Sequence, residues 1–217
     1  HGIDFCCGGR RALGEACREH GAAVEAVAAE IAAAAAREVP ADRVFTDAPL
    51  GELLDHIVSR YHSVLREDLP RLGRMADKVA EVHGSRHSEL RELADVYREL
   101  RDELTPHLAT EEERVFPALR RLAEPGSAAA DVQAALHALE EDHDRAGAAL
   151  ARLRGLSGGF AVPEDGCTTY RALYEGLERF ERELHEHVHL ENNVLFPRVV
   201  SLQARAEGRG GPAGGAR

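Results

Sequence analysis

The sequence predicts an all-α fold, an antiparallel four-helix bundle behind a small helical N-terminal module. Alanine, leucine, glutamate and arginine dominate the 217 residues, aromatics make up 5% and tryptophan is absent, a composition that favours helices. Apolar residues recur at alternating spacings of four and three along four long stretches, the seam of a helix that buries one face in a bundle. The second stretch also repeats in the fourth at an offset of 80 residues. Leu93, Tyr97, Leu100, Leu104, His107, Glu111, Phe116 and Pro117 align with Leu173, Leu177, Phe180, Leu184, His187, Glu191, Phe196 and Pro197. Such a repeat reads as two similar helical hairpins.

Residues 1–48 form the N-terminal module: a Cys6-Cys7-Gly8-Gly9 turn, a short amphipathic piece, and an alanine-rich helix from about Ala22 to Glu38 that stops near Pro40. Because the chain starts at His1 rather than Met, the module is read as truncated. The bundle is expected over 49–207. Thr46, Asp47 and Pro49 offer N-cap and first-turn chemistry for a first helix from about Leu50 to His83, with a kink at Pro70. A turn at His83 to Ser85 leads into a second helix, to about Ala123, broken by Glu124-Pro125-Gly126-Ser127. A third helix follows at about Ala129 to Leu156. The loop from Ser157 to Gly166 precedes a fourth, from about Thr168 to Arg205, and the Gly-rich end, 208–217, is expected to be disordered.

A formal net charge of -11 argues against nucleic acid or an anionic membrane as partner, because both need a cationic surface. No apolar run approaches the roughly 20 residues that span a bilayer, and the first residues carry no signal-peptide pattern. The protein is therefore expected to be cytoplasmic. Four cysteines, Cys6, Cys7, Cys17 and Cys167, are too few and too unevenly placed for a disulfide framework. Cys17 and Cys167 are read as structural. Twelve histidines are more unusual.

Four of those histidines fall in the seams. His107 and His187 lie in the repeat, and the first and third helices add His62 between Val58 and Leu65, and His143 between Leu139 and Ala146. Residues equally far from the turn of an antiparallel hairpin share one height. His62 and His107 are each about 22 residues from the turn near position 84, as His143 and His187 are from the loop near 165. All four are expected in one layer. In each H-x-x-x-E pair, His107 with Glu111 and His187 with Glu191, the side chains stand about 6 Å apart along one helix face. An unpaired carboxylate buried there costs several kcal/mol or takes up a proton, so two carboxylates amid four imidazoles call for cations. Neutral imidazoles and carboxylates without thiolate suit iron or manganese better than structural zinc, and six ligands suit two ions with an oxo or hydroxo bridge. Di-iron is the economical reading. The ferritin-type E-x-x-H pattern occurs once on a bundle helix, Glu140 to His143, where that class wants two.

With these residues in view, the chain resembles the hemerythrin-like RIC (repair of iron centres) family over nearly its whole length. Ile3-Asp-Phe-Cys-Cys-Gly-Gly is similar to that family's N-terminal module, and Glu140-Glu-Asp-His-Asp-Arg-Ala-Gly and His189-Leu-Glu-Asn-Asn-Val-Leu-Phe-Pro-Arg to its bundle motifs. The resemblance implies that the four-helix bundle is hemerythrin-like, that His62, His107, His143 and His187 are terminal ligands of two irons, and that Glu111 and Glu191 bridge them. A further family histidine aligns with His83, which lies about 31 Å along a straight helix from His62 and stays outside the ligand set. Pro106, directly before His107, departs from the family pattern and is expected to loosen the helix there. His185 and His189 are expected to be solvated or to sit behind the ligands. Cys6 and Cys7 have two readings, redox exchange or iron transfer on one side and small buried apolar residues on the other.

The implied function is repair of iron-sulfur centres damaged by nitric oxide or peroxide under stress, by iron donation. Damaged iron-sulfur proteins would be the clients, served by an unidentified electron donor, and a homodimer is left open. Two alternatives use the same centre: reduction of nitric oxide, which would make the protein an enzyme, and reversible binding or sensing of oxygen.

Overall fold

The computed structural model describes residues 1, 3, 6, 11–36, 45, 47–124 and 132–209, with side chains to Arg205. Cys7 and the glycines after it, the stop near Pro40, the cap residue Thr46, the break at 125–127, the start of the third helix at 129 and the tail 210–217 lie outside the described residues. Two short helices open the chain, α1 (Leu13–Glu19) and α2 (Val24–Ala35). Four long ones come next: α3 (50–83), α4 (89–122), α5 (Gln133–Leu156) and α6 (168–209). The fourth thus continues past Arg205, and Gly208 and Arg209, expected in the tail, are its last residues.

Among the described residues no strand occurs, and no helix is long and apolar enough to cross a membrane. Helix α3 packs on α4, α4 on α5, α5 on α6 and α6 back on α3, which closes the antiparallel bundle. The start of α3 differs from expectation. Its cap is Pro49, whose carbonyl accepts from the Glu52 and Leu53 amides, and no side chain caps it. Both α3 and α4 run on through their internal prolines, Pro70 and Pro106.

Among the described residues three helices contain a π-helical turn: Ile57–His62 in α3, Glu111–Val115 in α4 and Glu191–Leu195 in α6. Each is closed by an i→i+5 bond, from the Ser63, Phe116 and Phe196 amides to the Val58, Glu111 and Glu191 carbonyls. Such turns hold one residue more than an α turn and rotate the rest of the helix about its axis. In α3 this moves the seam. Ile57, rather than Val58, is fully buried one turn before His62, and Val58 is only partly buried.

The apolar seams form two separate cores. One fills the bundle towards the α3–α4 turn, with Leu65, Leu72, Leu93, Tyr97, Leu150, Leu173 and Phe180 among its members. The other fills the opposite end with Leu53, Ile57, Phe116, Leu119, Leu136, Leu195 and Phe196. A layer of buried polar side chains lies between them.

Candidate metal centre

That layer consists of His62, His107, Glu111, His143, His187 and Glu191, each at most 5% exposed. The histidines come one from each bundle helix. Their Nε2 atoms turn inward. His62 Nε2 lies 3.4 Å from Glu111 Oε2, and His107 Nε2 lies 3.3 Å from Glu111 Oε1. On the other side, His187 Nε2 and His143 Nε2 each lie 3.1 Å from Glu191, at Oε1 and Oε2 respectively. Each carboxylate therefore gives one oxygen to either histidine pair. Two sets of four result, His62, Glu111, His187 and Glu191, and His107, Glu111, His143 and Glu191, with ligand atoms within 4.8 Å of one another in each set.

The electrostatics of this layer make sense only with positive charge at its centre. All four carboxylate oxygens are buried without a hydrogen bond of regular geometry, where an unmet carboxylate costs several kcal/mol. Burial, and then the charge of Glu191, pushes the Glu111 carboxyl well above the usual range. Burial acts the same way on Glu191, but the imidazoles of His187 and His143 hold it well below. Without a cation the two acids thus share a proton. Burial, joined by the neighbouring His187, lowers His62 to about 4 and leaves it a neutral ligand. His62 Nε2 and His187 Nε2 stand 3.1 Å apart, close enough for both to bind one ion. Nitrogen and carboxylate donors with no sulfur suit a hard or borderline divalent cation.

Sequence reasoning did not find the side chains behind the ligands. Glu112 Oε1 accepts from His62 Nδ1 at 2.7 Å and from Arg66 at 2.7 Å. Asp142 Oδ2 accepts from His107 Nδ1 at 3.0 Å and also pairs with Arg145. Asn192 Oδ1 accepts from His143 Nδ1 at 2.8 Å. Each is the chain neighbour of a layer residue, points to a different side of its helix and so reaches a histidine of the adjacent helix. These contacts orient the rings and fix which nitrogen is protonated. Among the described residues His187 Nδ1 has no such acceptor; Tyr61 stacks on that ring with centroids 5.8 Å apart. Phe116 and Phe196, equivalent in the repeat, stack on His62 and His143.

Other sequence candidates lie elsewhere. His83 sits at the far end of the bundle, its Nε2 3.2 Å from Cys167 Sγ and its ring against Tyr170. His185 and His189 are half-buried outside the layer. Glu140 does not join either four-residue set. Cys6 is buried among the apolar core residues, and Cys17, on α1, is fully buried. A groove of about 690 Å³ between α4 and α5, lined by Leu104, Pro106, Ala138 and Asp142, reaches His107 from outside.

A helical bundle with a buried histidine-glutamate layer is the architecture of a known cation-binding class. Residues 53–199 match the profile of the hemerythrin HHE cation binding domain, and the chain belongs to that family. Residues 1–35 match ScdA_N, a domain of unknown function. The chain is 39% identical to the iron-sulfur cluster repair protein ScdA of Staphylococcus haemolyticus, over 90% of this chain and 87% of that protein. It is 36% identical to the iron-sulfur cluster repair protein YtfE of Citrobacter koseri, over 92% and 87%, and 35% identical, with the same coverage, to YtfE of Escherichia coli.

Proposed function

We propose that the chain is a non-haem di-iron protein that restores iron-sulfur centres damaged by nitrosative or oxidative stress, by donating iron. The observation that carries this reading is the sharing of both glutamates between two histidine pairs, a donor set for two adjacent ions. The names of the relatives supply the kind of client. In this reading His62 and His187 hold one iron, His107 and His143 the other, and Glu111 and Glu191 are common to both. When bound, the iron pair supplies a redox-active centre and transferable ferrous iron.

The chain's own residues do the rest. The two apolar cores above and below the layer keep bulk water out, while Glu112, Asp142 and Asn192 keep the ring nitrogens aimed inward. Residues 49–207 act as the iron-holding unit and residues 1–48 as a separate module, in the cytoplasm. Cys6, being buried, fits the packing role better than that of a freely accessible thiol. A second use of the same centre is reduction of nitric oxide, and the groove lined by His107 would bring a small molecule to the outer edge of the layer.

The test is reactivation of aconitase that has lost iron from its cluster. The reduced, iron-loaded protein is expected to restore activity faster than free ferrous iron at the same concentration. Equal or slower recovery removes the donor role.

A further inference from the structure

The 80-residue repeat makes Glu112 and Asn192 equivalent, and each stands behind a histidine of the layer, His62 and His143 respectively. Their chemistry differs. A carboxylate only accepts hydrogen bonds, and Glu112 is closed off by Arg66 at 2.7 Å. An amide accepts and donates. Asn192 uses its second function on the N-terminal module: its Nδ2 donates to the carbonyl oxygen of Cys6 at 3.2 Å.

A carbonyl can only accept, so the contact with Cys6 decides which way the Asn192 amide faces. With Nδ2 on Cys6, Oδ1 must lie on His143, and His143 Nδ1 must carry a proton to donate. In the neutral ring the other nitrogen, Nε2, 3.1 Å from Glu191 Oε2, then presents its lone pair to the layer. With the amide reversed, Nδ2 would face His143 Nδ1, and Nε2 would carry the proton and donate it to Glu191. That second arrangement gives Glu191 Oε2 a donor and closes His143 Nε2 to a cation. The amide is a two-position element, and both the module and the ion bias it.

We propose that Asn192 is a positioning residue that couples the docking of the N-terminal module to occupancy of the His107–His143 half of the metal centre. The inference rests on the proposed di-iron reading of that centre. Coupling between two binding events is reciprocal. A cation on His143 Nε2 selects the amide orientation that donates to Cys6, so loading tightens the module; a docked module, in turn, tightens that cation. The opposite half, backed by Glu112 and Arg66, has no such link among the described residues.

The test is amide hydrogen exchange in α1 and α2 of the full chain, metal-free and after anaerobic loading with ferrous iron, with iron content measured on the same samples. Loading is expected to slow exchange in α1 and α2 by about tenfold, a typical coupling strength. Asn192→Asp keeps the acceptor for His143 but cannot donate to Cys6. Compared with the parent at equal measured iron content, this variant is expected to show no slowing in α1 and α2. Two irons bound to the unsubstituted chain with no change in exchange overturns the relay alone, a comparison that needs no variant to fold. Equal slowing in Asn192→Asp also overturns it. Failure of the unsubstituted chain to bind iron removes the metal-centre reading and the relay together.

Discussion

Glu111 and Glu191 face each other in the middle of the bundle, and each carboxylate has one oxygen within 3.4 Å of an imidazole from either histidine pair. Stability and metal binding pull against each other at these two positions. Burial raises Glu111 strongly, so the metal-free fold carries the cost of two acids that a cation would offset.

Glu111→Gln removes a bridging oxygen while keeping the shape, and it spares the metal-free fold the cost of taking up a proton at Glu111. The metal-free variant is therefore expected to melt above the metal-free parent at neutral pH. Its iron content is expected to fall from two to one or fewer per chain. Thermal denaturation with metal analysis on the same preparation reads both effects.

Acid should weaken the metal-free fold partly through His62. Its folded-state value of about 4 lies below the ordinary 6.5, so between those pH values the unfolded chain binds more protons and stability rises with pH. As pH falls from about 6.5 to 4 the contribution is lost, up to about 3 kcal/mol from this residue. Urea titrations of metal-free His62→Gln across that window should show a shallower pH dependence than the parent. Identical slopes would contradict the assignment.

Removing the acceptor behind a ligand should weaken iron binding without removing a ligand. Asp142→Ala and Glu112→Ala are each expected to lower iron affinity about 10- to 100-fold, measured by competition with a chelator. Tyr61→Phe keeps the ring that stacks on His187 and should change affinity far less.

Close helix packing makes one glycine critical. A Cβ on Gly176 would come within 2.5 Å of Leu72 Cδ2 in the core shared by α3 and α6. Gly176→Ala is expected to cost about 1–3 kcal/mol of stability and to leave two irons bound, as chemical denaturation and metal analysis would show.

The architecture was legible because the seam spacing and the repeat are long-range regularities. Helix α3 runs from Leu50 to His83 as the pattern predicts, and the heights of the four histidines follow from equal distances to two turns. The π turns were not legible, because an inserted residue changes the phase of one turn and leaves the apolar pattern on both sides intact. Proline gives no signal either: Pro70 and Pro106 lie inside α-helix, and the π turn of α3 contains no proline. Glu112, Asp142 and Asn192 were invisible for another reason: their partners lie on neighbouring helices, and which neighbour a side chain reaches depends on packing. Pro49 was placed at the start of α3 by the sequence, but a side-chain cap was expected where the proline carbonyl suffices.

The most direct measurement is metal analysis together with Mössbauer spectroscopy of the full chain produced with iron. About two irons per chain are expected in one spin-coupled pair, with the coupled signal lost in Glu111→Ala and in Glu191→Ala. An uncoupled single iron, or a coupled pair that survives both substitutions, would contradict a centre built on two shared glutamates.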